Sequence, residues 1–222
     1  MKMKNIVSNL FKAAALGLIL NFGMAGKMSA AETSSQKVIR VACVGDSITY
    51  GSTIADRQHD SYPAQLGKLL GADYDVRNFG VSGATLLKKA DKPYWKQKAY
   101  AAARAFKPNL IVIMLGTNDS KHRGDGSLDA AHAPDNWQFK ADYVPDYEAL
   151  IVSFRKVNPA AKIYVCLPTP CFPGRWGINN KTIHDEIIPL VRQVAKDTGA
   201  SVIDLNTPFA GKPELLSSDG VH

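Results

Sequence analysis

The sequence predicts an α/β domain in which helices cover both faces of a parallel sheet. Strand-like and helix-like runs alternate along the chain, which is typical of right-handed crossovers between parallel strands. Residues 110–115 are apolar at six consecutive positions, as expected for a strand that is covered on both faces. Short runs of Gly, Ser, Asp and Asn follow several of the strand-like segments. In such folds ligands bind outside the carboxyl ends of the strands, so those segments are the candidate functional regions.

Five strands and four main helices are predicted. The strands are expected at residues 38–44, 74–79, 110–115, 162–167 and 201–205. The helices are expected at residues 62–70, 94–106, 143–157 and 182–198. Gly199 closes the last helix, because glycine readily adopts the left-handed backbone found after a helix. We find no internal repeat, low-complexity tract or linker, so residues 32–222 are predicted to form one domain.

Composition and charge exclude several protein classes. The chain has 222 residues, of which 45% are hydrophobic and 21% charged, which fits a globular core and excludes a disordered acidic tail, a collagen-like repeat and a coiled coil. The formal charge is +7, but four lysines lie in residues 1–31, which contain no acid, so the remainder carries +3. This excess is typical of a solvated surface, and we expect no nucleic-acid partner.

The N-terminal residues 1–31 have the layout of a secretory signal peptide. Lys2 and Lys4 precede an apolar run at residues 13–25, and small residues come just before Glu32. The run is short for a membrane span, and no Cys follows it as a site for lipid attachment. We expect a mature protein that begins near Glu32, is periplasmic or secreted from a bacterium, and has no stable membrane anchor. A retained signal anchor is the alternative.

The three cysteines do not indicate a metal site. Cys166 and Cys171 are close enough in sequence to bridge in an oxidising compartment, whereas Cys43 lies in an apolar run and is expected to be a small buried hydrophobe. The spacing lacks the paired cysteines and nearby histidines of a zinc site. We therefore expect no metal and no cofactor.

Four polar blocks lie at the ends of predicted strands and at the end of the sequence. The blocks are Gly45-Asp46-Ser47, the segment 78–85 with Gly83, Gly116-Thr117-Asn118-Asp119, and Asp219-Gly220-Val221-His222. Each block by itself is compatible with a helix cap or a turn. The Asp-x-x-His spacing assigns no base, because four of the five histidines show it: His59, His122, His132 and His222. The fifth, His184, is expected on the surface of a helix.

In their order, these four blocks resemble the SGNH, or GDSL-type, hydrolase family, and they span Gly45 to His222. Within that family the chain is similar to the carbohydrate O-acetylesterase branch, which includes sialate O-acetylesterases. The resemblance implies a flavodoxin-like three-layer α/β/α sandwich with a central parallel five-stranded sheet, and ester hydrolysis through a serine acyl-enzyme. Family members usually continue past the closing histidine with Pro and a final helix. We therefore expect the natural chain to continue beyond His222, with one face of the sheet underpacked without that helix. The alternative is that His222 is the natural C-terminus.

The resemblance also implies the catalytic roles. Ser47 is the predicted nucleophile, His222 the general base and Asp219 the group that orients the imidazole. The N–H groups of Ser47 and Gly83 and the side-chain amide of Asn118 are the predicted oxyanion hole. Ser82 is an alternative nucleophile, but the Gly-x-Ser-x-Gly pattern of a nucleophile elbow is absent around it.

The predicted substrate is a small-molecule or polysaccharide O-acetyl ester. Polar loops at residues 120–142 and 171–177 carry tryptophans among charged residues, a combination that suits sugar rings. The predicted substrate-binding residues are Asp46, His122, Trp137 and Trp176. Alternatively, the aromatic residues only anchor long loops. The alternative functions are a lysophospholipase or thioesterase with the same triad, and a non-catalytic carbohydrate-binding protein.

Overall fold

The computed structural model describes residues 38–122, 127–128 and 132–222. The predicted signal peptide, residues 1–31, lies outside the described residues. The central sheet has five strands, all parallel, in the order β2-β1-β3-β4-β5. The strands are β1 Ile39–Gly45, β2 Tyr74–Gly80, β3 Leu110–Met114, β4 Lys162–Leu167 and β5 Ser201–Asp204. This order is that of flavodoxin-like folds, so the predicted fold class is confirmed.

Helices connect consecutive strands and cover both faces of the sheet. They are α1 Ser47–Tyr50, α2 Arg57–Asp60, α3 Tyr62–Leu70, α4 Lys98–Ala105, α5 Tyr143–Arg155, α6 Asn180–Thr182 and α7 Ile188–Thr198. Short 3₁₀ helices lie at Tyr94–Lys96, Asn118–Ser120, Trp137–Asp142, Thr207–Phe209 and Pro213–Leu215. Two short strands, Ser127–Leu128 and Gly174–Arg175, pair with each other outside the main sheet. Among the described residues, no helix is long and apolar enough to cross a membrane.

Two predicted helices are interrupted in the structure. The predicted helix 94–106 begins as a 3₁₀ turn, and Gln97 is extended (φ −87°, ψ 144°) before α4 begins. The predicted helix 182–198 contains a π-helical segment, Ile183–Ile187, before α7. Pro189 has no N–H to donate to the carbonyl one turn earlier, so the regular α-helical ladder is broken there.

The two faces of the sheet have separate hydrophobic clusters. All five residues of β3 are buried because this strand lies between β1 and β4. Ile111 and Ile113 pack in the larger cluster with residues of α4, α5 and α7. Val112 and Met114 pack in the smaller cluster with Leu66 of α3. The sheet is therefore the middle layer of three, and its carboxyl edge carries the polar blocks.

The cysteines are all free and buried. A bridge between Cys166 and Cys171 does not form, because Cys166 lies in the smaller cluster and Cys171 in the larger one, on opposite sides of the sheet. Cys43 is fully buried in the smaller cluster, as predicted. Burial raises the pKa of the Cys43 thiol to about 12, so it behaves as a small apolar side chain.

Candidate active site

The turn between β1 and α1 presents Ser47 at the carboxyl edge of the sheet. A Cβ on Gly45 would collide with the Thr49 side chain and would lie 2.6 Å from the Met114 carbonyl oxygen. Only glycine therefore allows α1 to start directly beside the end of β3. Ser47 occupies the first position of α1, and the residue is 94% buried, with an exposed fraction of 6%.

Asp46 is a structural residue of this turn. Its Oδ1 accepts a hydrogen bond of 3.0 Å from the N–H of Ile48, which caps α1. The residue is fully buried, and burial raises the pKa of its carboxyl to about 7, although the Ile48 N–H acts in the opposite direction. The nearby charge of Asp119 raises the pKa further. A fully buried carboxyl that caps a helix does not reach a bound substrate, so the structure does not support the predicted substrate-binding role of Asp46.

The predicted oxyanion donors are brought together by loop contacts. The loop after β2 is fastened to the serine turn by a 2.9 Å hydrogen bond from Val81 N to Gly45 O. Asn118 Nδ2 donates to Ala84 O at 3.1 Å, which places the amide beside Gly83, and its second N–H stays available. Gly83 has a positive φ of 77°, a conformation that favours glycine.

The backbone donors of Ser47 and Gly83 are unoccupied. Within the described residues, neither N–H donates a hydrogen bond. Helix N-terminal N–H groups such as that of Ser47 carry partial positive charge and favour anions. Two backbone N–H groups and one amide N–H are therefore free to bind an oxygen that becomes negative during a reaction.

Asp119 holds the loop that carries Gly83. Its fully buried carboxylate accepts hydrogen bonds from Leu87 N (2.8 Å) and Leu86 N (2.9 Å). Burial raises the pKa of this carboxyl to about 6, against the effect of the two N–H donors. Asp119 belongs to the Gly116-Thr117-Asn118-Asp119 block, but the sequence does not indicate its role, because the residues that it binds are 32 and 33 positions away in the chain.

Asn136 supports the backbone of Asn118. Its Nδ2 donates to Asn118 O at 2.9 Å and to Asp91 Oδ1 at 2.8 Å, and its Oδ1 accepts from Asp91 N at 3.0 Å. The residue is 2% exposed, so these bonds are shielded from water. Sequence reasoning missed it, and the only sequence signal is its position beside Trp137.

Asp219 and His222 form a buried pair. The Asp219 Oδ2 atom lies 2.7 Å from His222 Nδ1, and Oδ1 accepts from the Ser217 hydroxyl (2.6 Å), Val221 N (2.9 Å) and His222 N (3.0 Å). Burial acts to raise the pKa of Asp219, but the hydrogen bonds from Ser217, His222 and Val221 lower it well below its ordinary range. An ionised Asp219 holds the proton on Nδ1, which leaves the lone pair on Nε2.

The Nε2 atom of His222 is buried and has no hydrogen-bond partner among the described residues, Ser47 included. The Asp–His contact is therefore formed in this structure, while the Ser–His contact is not. Hydrogen bonds of this kind are commonly long in free enzymes and tighten when substrate binds. A buried ring nitrogen without a hydrogen-bond partner, such as His222 Nε2, is suited to act as a base that accepts a proton from a bound group.

Burial separates this pair from the other Asp-x-x-His pairs. Asp56 and His59 also pair, with Nδ1–Oδ2 at 2.9 Å, but their side chains are 59% and 68% exposed, compared with 14% and 9% for Asp219 and His222. His122 Nε2 instead lies 3.1 Å from the Thr182 hydroxyl. The remaining pair cannot be compared because residue 129 lies outside the described residues.

The two tryptophans have different environments. Trp176 is 44% exposed, its ring centroid lies 6.1 Å from that of His222, and its φ is +57°. A left-handed backbone is costly for a bulky residue and often marks a functional loop. Trp137 is 6% exposed and donates its indole N–H to Glu186 at 2.9 Å. Of these two tryptophans, Trp176 offers an open aromatic face beside the Asp219–His222 pair, whereas Trp137 has the loop-anchoring role that was the predicted alternative.

The described residues of the site form no cluster that could hold a metal ion. In the part of the chain that the structure describes, three or more His, Cys, Asp or Glu side chains nowhere converge in an arrangement that could hold a metal ion. The chemistry that this geometry can perform is nucleophilic: a serine hydroxyl, a base held by a carboxylate, and hydrogen-bond donors for an oxyanion.

The known proteins that are similar to this chain include acetylxylan esterases and a carbohydrate acetylesterase. The chain is 41% identical to the acetylxylan esterase of Xylanibacter ruminicola over an alignment that covers 84% of this chain and 40% of the relative. The chain therefore spans less than half the length of that relative. Among solved structures, the acetyl xylan esterase AlAXEase has a TM-score of 0.59 and 22% identity, with 83% of this chain and 91% of that chain covered. Est24, a carbohydrate acetylesterase from Sinorhizobium meliloti, has a TM-score of 0.56 and 20% identity, with coverages of 82% and 88%.

At identities near 20% these structures establish the common fold. The family assignment comes from the sequence itself, since the model of the GDSL-like lipase/acylhydrolase family matches residues 43–222, which include all four polar blocks. This chain belongs to the GDSL-like lipase/acylhydrolase family.

Proposed function

We propose that this protein is a serine esterase that removes O-acetyl groups from carbohydrates, with acetylated xylan as the first substrate to test. The observation that carries the proposal is the buried Asp219–His222 pair, whose Nε2 lacks a partner. It belongs to the block that follows the last strand, while Ser47 and the three donors follow β1, β2 and β3 at the carboxyl edge of the sheet. The 41% identity to an acetylxylan esterase supports the choice of acetyl group and sugar.

In the acylation step, Ser47 Oγ attacks the carbonyl carbon of the acetyl ester while His222 Nε2 takes the hydroxyl proton. The carbonyl electron pair moves onto its oxygen, which is stabilised by the N–H groups of Ser47 and Gly83 and by the Asn118 amide. The bond to the sugar oxygen then breaks. That oxygen takes the proton from His222, and the acetyl group stays on Ser47.

In the deacylation step, water gives a proton to His222 Nε2 and attacks the acetyl-Ser47 carbonyl carbon. The same donors stabilise the second tetrahedral intermediate. The bond to Ser47 Oγ breaks, Oγ regains its proton from His222, and acetic acid leaves and loses its remaining proton to water. Asp219 stays ionised throughout and stabilises the imidazolium that forms in each half-reaction.

Trp176 is the proposed platform for the sugar ring. Its exposed face lies beside His222, so a ring stacked on it would present an O-acetyl group to Ser47. Sugar rings have apolar faces that pack on aromatic side chains, and the charged and polar residues around the loop suit their hydroxyl rims. Trp137 and Asp46 are buried and are not proposed to contact the sugar. His122 is half-buried, and its backbone N–H donates to Gly177 O at 3.3 Å, next to Trp176.

Export through a signal peptide at residues 1–31 is part of the proposal. It is supported by the lysines, the short apolar run and the small residues before Glu32. Expression of the full chain in a bacterial host, followed by fractionation and N-terminal sequencing, tests it. A new N-terminus near Glu32 in the periplasm or medium is expected; an uncleaved chain in the membrane would show a retained anchor instead.

Acetate release from acetylated xylan and from p-nitrophenyl esters tests the activity. We expect hydrolysis of acetyl esters, little hydrolysis of long-chain acyl esters, and near-complete loss in Ser47→Ala. Ser82→Ala is the matched control, since Ser82 is exposed on the neighbouring loop and should retain most of the activity. A preference for long-chain esters would favour a lipase or thioesterase. Absence of hydrolysis of any ester would favour a carbohydrate-binding protein.

A further inference from the structure

A cavity lies at the opposite end of α1 from the nucleophile. This cavity of about 310 Å³ is lined in part by Tyr50, Arg57, Gln58, Ser61 and Asn78. Tyr50 is the last residue of α1, three positions after Ser47. A helix rises about 1.5 Å per residue, so this wall of the cavity starts about 4.5 Å along the helix axis from the serine.

Arg57 lines this cavity and packs against Tyr50. Its guanidinium carbon lies 4.0 Å from the centroid of the Tyr50 ring, a cation–π contact that orients the planar group. The acids at the two ends of α2 have other partners: Asp56, which precedes the helix, pairs with His59 at 2.9 Å, and Asp60 accepts from Gln65 at 3.5 Å. Arg57 is an exposed residue that makes no ion pair within the described residues, and it is one of the residues that line the cavity.

Local packing builds the cavity around this arginine. Gly51 has a φ of +89°, and a Cβ there would lie 3.0 Å from the Ser61 Cβ and 3.1 Å from the Arg57 Cβ. Because Gly51 has no Cβ, Ser61 and Arg57 can pack closely against the C-terminal end of α1. Gln58 and Ser61 add an amide and a hydroxyl, the groups that bind sugar hydroxyls in polar sites.

We propose that this cavity is a subsite for a carboxylate-bearing sugar, a uronic acid attached to the acetylated polysaccharide, with Arg57 binding the carboxylate. The planar guanidinium matches a carboxylate in a two-bond geometry, which a neutral sugar does not require. The volume lies at the lower end of the range for small-molecule sites. The inference rests on the proposed function, because the subsite selects among acetylated carbohydrates that Ser47 would process.

Direct binding tests the subsite independently of catalysis. Glucuronate, glucose and inorganic phosphate are titrated separately into the protein and followed by calorimetry or NMR. We expect glucuronate to bind, glucose and phosphate to bind at least ~10-fold more weakly, and Arg57→Gln to weaken glucuronate at least ~10-fold, as loss of a charged hydrogen-bonding partner should. Arg192→Gln is the control, since it removes the same charge from α7, where Arg192 lies 3.5 Å from Asp204.

Glucuronate binding that is absent, or equal in the protein and in Arg57→Gln, would overturn the subsite. Equal binding of phosphate would show a general anion site and would also overturn it. In a second assay, kcat/KM is compared for acetylated xylans with and without glucuronic acid side groups. Arg57→Gln should lower the ratio of kcat/KM for the xylan with glucuronic acid side groups to kcat/KM for the xylan without them ~10-fold. Arg192→Gln should leave this ratio unchanged.

The two assays distinguish failure of the subsite from failure of the proposed function. If the protein hydrolyses both xylans but the ratio does not respond to Arg57→Gln, the subsite is wrong and the esterase stands. If glucuronate binds through Arg57 but no ester is hydrolysed, the cavity binds a uronic acid and the proposed esterase activity is wrong.

Discussion

Replacement of Asp119 by Asn should damage catalysis although Asp119 does not touch substrate. The carboxylate accepts from Leu86 N and Leu87 N at 2.9 and 2.8 Å, and both bonds are fully buried. An Asn side chain keeps one oxygen and points an NH₂ group at the other backbone N–H. One buried donor then loses its acceptor, which costs about 1–3 kcal/mol, unless the loop moves to relieve the conflict.

Movement of the loop would displace Gly83, which precedes Leu86 by three residues. A misplacement of about 1 Å near a reacting group can cost about 100-fold in rate. We therefore expect Asp119→Asn to lower kcat for p-nitrophenyl acetate ~10–100-fold with little change in KM, because the oxyanion donors act mainly in the transition state. Thermal unfolding is measured beside the kinetics, and a fall in the melting temperature of several degrees is expected.

Asp146→Asn is the matched control, because Asp146 lies in α5 and its carboxylate contacts Lys88 of the same loop. The Oδ2 atom of Asp146 accepts from Lys88 N at 2.8 Å, and Oδ1 pairs with the Lys88 ammonium group at 2.9 Å. Both carboxylates accept backbone N–H groups of this loop, but Lys88 is further along the chain from Gly83 than Leu86 and Leu87 are. The Asp146→Asn variant should therefore lose stability while kcat stays within about twofold. An equal loss of kcat in both variants, or no loss in Asp119→Asn, would refute the role assigned to Asp119 in positioning the oxyanion loop.

Four further predictions follow from the site. Asn118→Ala should lower kcat by ~10²–10³-fold at nearly constant KM in steady-state kinetics on acetyl esters, and an unchanged kcat would remove Asn118 from the oxyanion hole. His222→Ala should lower turnover ~10³-fold or more, whereas His59→Ala, which breaks the exposed pair, should not; the reverse result would show that the wrong histidine is assigned. Trp176→Ala should raise KM for acetylated xylan more than for p-nitrophenyl acetate, and an equal effect on both would argue against a sugar platform. In the folded state the pKa of Asp46 is raised from 3.8 to about 7, so the folded protein holds this proton more tightly than the unfolded chain does, and the free energy of unfolding falls as pH rises from about 4 to about 7. Urea unfolding across this pH range should show a smaller fall for Asp46→Asn. An identical pH profile in the two proteins would contradict the buried, proton-binding state of Asp46.

Helices and strands were predictable from the sequence wherever the local hydrophobic pattern agrees with the burial of the segment in the fold. The run 110–115 became the central strand β3 because a strand between two parallel neighbours needs apolar side chains on both faces. The predicted boundaries of α3 and β4 match the structure. Gly199 ends α7 with a φ of +67°, as its position after the helix predicted. The π-helical interruption before α7 was missed because it depends on how Pro189 breaks the backbone ladder.

The site was less predictable where roles depend on burial and on distant partners. The spacing of Asp and His was the same for His59 and His222, and only the fold buries the latter. Trp137 and Trp176 had the same apparent suitability for sugars, yet one became a buried donor to Glu186 and the other an exposed ring. Pairing of Cys166 with Cys171 was open on sequence spacing alone, and the sheet separates the two residues.

Covalent trapping of the nucleophile tests the central claim most directly. The protein is treated with a fluorophosphonate, which forms a stable bond with an activated serine hydroxyl, and the modified peptide is located by mass spectrometry. We predict one adduct, on Ser47, which is lost in Ser47→Ala and strongly slowed in His222→Ala, because His222 must take the hydroxyl proton. An adduct on Ser82, or labelling of Ser47 at the same rate without His222, would contradict the assigned nucleophile and base.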